Sequence, residues 1–129
     1  MLLNAYAVLL AAAFVLNRHD RRMLLLTLVV GVSVFIPVPR HSAEVFYAFC
    51  VSAELLVLFL AWRLKARGSE LVMSFAFALA WLHVMGYAVD GSSTLSTYRI
   101  LVPMLEAALL VACVCTSPAI FARLQNRLP

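Results

Sequence analysis

Glu54, His83, Glu106 and Cys50 are the residues of this 129-residue chain best suited to chemistry, and each lies within a long apolar run. A carboxylate at the centre of a bilayer costs roughly 2.5–3.5 kcal/mol on insertion scales, so it needs a partner, a proton or a water-lined cavity. Tyr47, Cys50 and Glu54 stand at i, i+3 and i+7, which places them on one side of a helix. Glu44 falls on a different side, beside the small residues Ala48 and Ser52. In the next run Ala76, Ala80, His83 and Asp90 share a small and polar face, with Gly86 at its edge. In the last, Arg99, Glu106 and Cys113 recur at seven-residue spacing. Polar stripes on apolar helices face one another rather than lipid. Measured from the expected outer ends, Cys50, His83 and Glu106 each lie ~10 Å deep and Glu54 ~16 Å deep.

The expectation is a polar cluster of Glu54, His83, Glu106 and Cys50 in the outer half of a membrane bundle. Two carboxyl groups with an imidazole that can supply a proton or a counter-charge are the material of a proton relay or a cation pathway. The structural alternative is a set of satisfied contacts: Glu106 protonated or bonded to His83, and Glu54 bonded to a serine or a backbone carbonyl.

Other chemistry finds little support. Cys50, His83 and Glu106 are permissible metal ligands but show no local ligand spacing, so no metal is expected. His19 and His41 fall in loops, which leaves His83 without a second histidine for a haem, and no cofactor is expected. The phosphate-binding, serine-hydrolase and zinc-protease motifs are missing from the sequence, as is any paired C-x-x-C. An enzyme is therefore the least favoured class. Cys113 and Cys115 read as small apolar residues of the inner half of the last helix.

The elements that must position these groups follow from composition. The chain is 65% hydrophobic and 12% charged, with a mean hydropathy of +1.01. A soluble domain is about 45–50% apolar and about 25% charged. So apolar a chain lacks a polar coat, and lipid must be its solvent. The net charge of +4 comes from basic residues between the apolar runs, where topology signals sit, so nucleic acid is not an expected partner. Three cysteines do not make a disulfide framework. A cleavable signal peptide is not expected, because the first apolar run lacks a basic segment before it and ends in charge.

The expected fold is an all-α integral membrane protein, a single bundle of about five transmembrane helices over residues 1–129, with four as the fallback. The spans fall at about 2–16, 23–36, 43–62, 71–89 and 99–117. At ~1.5 Å per residue, residues 2–16 reach only ~22 Å of a ~30 Å hydrocarbon core. Pro37 and Pro39 stop the second segment. Ser42 is the expected N-cap of the third helix and Ser69 that of the fourth. Asp90-Gly91 opens a polar turn. Pro103 sits in the first turn of the fifth helix or kinks it. Trp62 reads as an interfacial anchor and Trp81 as packing. Residues 118–128 form a short amphipathic cytoplasmic tail, with Ser117 as N-cap, Phe121, Leu124 and Leu128 on one face, and Arg123 and Arg127 on another.

Alternate spans from a non-cytoplasmic N-terminus put Arg18, Arg21, Arg22, Arg63, Lys65, Arg67, Arg123 and Arg127 on one side, and only Arg40 and Arg99 on the other. The positive-inside rule then sets the N-terminus out and the C-terminus in. The expected location is a bacterial inner membrane, and the expected partners are the lipid bilayer and either further copies of the chain or another membrane subunit. Three functions fit: a non-enzymatic membrane subunit acting through helix contacts, a small proton- or cation-linked transporter or channel using Glu54, His83 and Glu106, and a holin-like phage lysis protein.

Overall fold

The computed structural model describes residues 2–38, 42–88 and 95–128, and these contain six helices: α1 (Leu2–Leu16), α2 (Arg21–Phe35), α3 (Ala43–Leu64), α4 (Ser69–Ala88), α5 (Leu95–Cys115) and α6 (Pro118–Gln125). Each expected segment holds one helix. Three stretches among the described residues, Glu44–Leu64, Ser69–Ala88 and Tyr98–Cys115, are long and apolar enough to cross a membrane. At 15 residues each, α1 and α2 are shorter than a full span. Arg40, His41 and the Asp90-Gly91 turn lie outside the described residues.

Local chemistry explains where the helices begin. Asp20 caps α2 by accepting from the Arg22 and Met23 amides, which starts that helix at Arg21 rather than at 23. Ser42 caps α3, its Oγ accepting from Val45 N at 3.2 Å. Ser69 does not cap α4 as expected. The Gly68 carbonyl accepts the first helical bond from Val72, while Ser69 Oγ turns back and accepts from Ala66 N at 2.8 Å, closing the α3–α4 loop. The α5 helix starts at Leu95, so Pro103 lies well inside it. Ser117 occupies the N-cap position of α6 and Pro118 follows at its start, but the serine side chain makes no capping bond.

Helices consecutive in the chain pack antiparallel, while α1 runs parallel to α5, with Tyr6 meeting Pro103 and Asn17 meeting Cys113. The α3–α4 pair has the most extensive contact, α4 continues onto α5, and α5 also packs on α1 and α2. Small residues permit the close approaches. Gly31 faces the tip of Leu10, and Gly68 is wedged against Thr116 and Met23. The half of the bundle near the α1–α2 and α3–α4 loops is filled by Met23, Leu26, Val57, Ala61, Val72, Leu79, Leu109, Leu110 and Cys113. Asn17 ties that end together, donating from Nδ2 to Ala13 O at 2.9 Å and to Cys113 O at 3.0 Å.

Large apolar side chains also cover the outside: Leu55, Leu56, Phe59, Phe77, Met85, Ile100 and Met104 are all exposed. Trp81 belongs with them. Its place near the helix centre predicts packing inside, yet it is 59% exposed, because the small face of α4 (Ala76, Ala80, His83, Gly86) is the one turned inward. Trp62 is exposed near the end of α3.

Candidate functional site: a polar cavity among α2, α3, α4 and α5

Tyr47, Cys50 and Glu54 are all buried, as their common helix face requires, and Glu54 is only 6% exposed. The same face of α4 that buries Ala76 and Ala80 buries His83. Across from them, α5 presents Glu106. These side chains meet at a cavity of about 400 Å³, whose wall includes Glu54, His83, Glu106 and Cys50 together with Ser33 from α2. It lies toward the end of the bundle where α2 finishes and α3 and α5 begin, since Ile36, Pro37, Phe46, Tyr98 and Arg99 also line it.

Within the cavity, Glu54 and Glu106 are close enough for their charges to interact, and Cys50 feels both. The Ser33 hydroxyl stands beside the Glu54 carboxyl. Neither Glu54 Oε2 nor Ser33 Oγ has a hydrogen-bond partner of acceptable geometry, although both atoms are buried. His83 is better served: its Nδ1 lies 2.7 Å from Tyr98 Oη, and the two rings meet edge-on at 5.8 Å. Glu106 stands next to the Tyr6 hydroxyl, which donates to Pro103 O at 2.8 Å. Tyr6 thereby joins α1 to α5 at the level of the site.

The expected serine partner of Glu54 is thus at hand in Ser33, and His83 bonds to Tyr98 rather than to Glu106. Glu44 stands apart, in a more open groove between α3 and α4 with Ala48 and Ser52, and His83 borders both hollows. The topology-setting residues Arg18, Arg21, Arg22, Arg63, Lys65, Arg67, Arg123 and Arg127 are exposed at the far end of the bundle. There Gly68 N lies 3.3 Å from Met23 Sδ, and the Arg67 guanidinium sits 5.3 Å from the centre of the Phe121 ring, so the three loop regions meet.

Sequence reasoning missed Tyr98, Tyr6 and Ser33. The polar stretch after Asp90-Gly91 predicts a loop through Tyr98, but the start of α5 at Leu95 brings that residue onto the helix one position before Arg99. Its signal is Gly86. A Cβ there would stand 2.8 Å from the Tyr98 ring and 3.1 Å from that of Tyr47, so the missing side chain makes room for both rings. Ser33 lies two residues beyond Gly31 on α2, within a run that reads as apolar.

The site can accept hydrogen bonds and balance a positive charge. Among the described residues no three His, Cys, Asp or Glu side chains are grouped as a metal ion would require. No family model matches this chain, and no curated protein or solved structure is significantly similar to it.

Proposed function

We propose that the chain is a non-enzymatic multi-pass membrane protein that binds a cation or a proton in the cavity of Glu54, Glu106 and His83. The observation that carries this reading is the convergence of two carboxyl groups, one with an unpaired buried oxygen, on a single cavity within an otherwise apolar bundle. Membrane insertion is supported by the apolar side chains over the outside, a surface that water does not tolerate on this scale. In this reading α1 to α5 all span, α1 and α2 where the bilayer thins or their ends extend. The eight exposed basic residues at the far end mark the cytoplasmic side of a bacterial inner membrane. The N-terminus is then outside, the C-terminus inside, and the cavity opens toward the outer face.

Beneath the cavity, Leu26, Val57, Leu79, Leu109 and Leu110 close the bundle. A blind cavity favours a binding subunit, working with other copies or another membrane protein, over a pore within one chain. Thermal melting of the purified protein across a series of inorganic and organic cations tests the reading, since a ligand that binds only the folded state raises its melting temperature. At least one cation is expected to stabilise the wild type and not Glu54→Gln or Glu106→Gln; equal effects on all three reject the cavity as the site. The carboxyl pair also favours a second reading, a small proton- or cation-linked transporter. That reading requires flux in proteoliposomes that both variants abolish without loss of insertion.

A further inference from the structure

We propose that the cavity is built for a small organic ammonium: a primary amine, protonated, carried on an apolar body. This rests on the cation-binding reading above and names the class of ligand. Glu54 Oε2 and Ser33 Oγ are two buried polar atoms side by side on the same cavity, and neither makes a hydrogen bond of good geometry. A buried polar atom left without a partner carries its full desolvation penalty, the more so when charged. An ammonium group brings three N–H donors and the charge that a carboxylate prefers. Glu106, whose charge couples to that of Glu54, lines the same space. Tyr98 already occupies His83, which leaves the carboxyl groups as the open acceptors.

The rest of the wall selects the body of the ligand. Val34, Phe46, Phe49 and Val102 are apolar, and the two phenyl rings suit an aromatic or branched group or the cation itself. A volume of about 400 Å³ falls in the range of organic ligand sites, roughly 300–1,000 Å³, and far exceeds a bare ion. An inorganic divalent cation calls for a cage of about six or more oxygen ligands, which this wall does not supply. Arg99 is exposed and adds one like charge at the rim, against two carboxyl groups within.

The test is isothermal titration of the purified protein in detergent with 2-phenylethylammonium, against its neutral isostere 2-phenylethanol. The ammonium is expected to bind at least about tenfold more tightly than the alcohol, the worth of one charge-assisted hydrogen bond. Glu54→Gln is expected to remove that preference, Ser33→Ala to weaken ammonium binding by about threefold to tenfold, and Arg99→Gln to tighten it. The melting temperature of each variant without ligand shows that it folds. Equal binding of alcohol and ammonium, an unchanged preference in Glu54→Gln, or weakened ammonium binding in Arg99→Gln overturns the proposal. If sodium or rubidium stabilises the protein through Glu54 and 2-phenylethylammonium does not bind, the ammonium assignment falls while the cation site stands. If no cation acts through Glu54, both fall.

Discussion

Asn17 joins residues that are far apart in the chain, with one amide group donating to α1 and to the end of α5. Its replacement by Ala leaves the buried Cys113 carbonyl without that donor. Asn17→Ala is therefore expected to destabilise the bundle by about 1–3 kcal/mol, read as a lower melting temperature in detergent with helix content unchanged. Tyr98→Phe tests a different bond. It keeps the ring between Tyr47 and His83 but removes the hydroxyl 2.7 Å from His83 Nδ1. The expected outcome is a loss of about 1 kcal/mol and a shifted His83 ring resonance in NMR; an unchanged spectrum would show that the hydroxyl does not hold the imidazole. At this scale the helical spacing of Tyr47, Cys50 and Glu54 made their common face legible. Asn17 was not legible, because an asparagine after an apolar run reads as the start of a loop. Its burial depends on α5 ending beside it, which no local pattern encodes.

Helix ends and helix contacts obey separate chemistry. Asp20 accepts from two amides at the start of α2, and Asp20→Ala is expected to cost about 1 kcal/mol. The glycines divide by what surrounds them. At Gly68 a Cβ would collide with the Thr116 side chain, which is itself fixed by its bond to Ala112 O, whereas at Gly31 it would meet only the movable tip of Leu10. Gly68→Ala is thus expected to cost about 1–3 kcal/mol and Gly31→Ala less, compared by thermal unfolding of the two variants. The reverse order would mean that the α3–α4 loop is not wedged against α5. Apolar runs and prolines marked the six helices, since chain chemistry sets them residue by residue. The capping of α4 was misread because Gly68 and Ser69 both suit a helix start, and only the Ala66 amide, reached by folding the loop back, decides between them. Trp81 was misread for a related reason: an all-apolar helix has no polar face to announce which side is inward, and the small residues decide it.

At the scale of the molecule, one end of the bundle is packed with apolar side chains and ringed by basic ones, and the other holds the polar cavity. That asymmetry gives the proposed topology its consequence: the cavity meets water from the non-cytoplasmic side. A reporter fused after residue 129 is expected to be active in the cytoplasm, and activity only outside would reverse the orientation. The most direct test of the central claim is cysteine accessibility in intact spheroplasts. In a background with Cys50, Cys113 and Cys115 replaced, Ser33→Cys and Val102→Cys place thiols on the cavity wall and Leu109→Cys places one in the packed half. A charged, membrane-impermeant thiosulfonate added outside is expected to label the first two and not the third. Labelling of Ser33→Cys and Val102→Cys only from the cytoplasmic side, or only after the protein is denatured, would contradict a water-accessible cavity that opens outward.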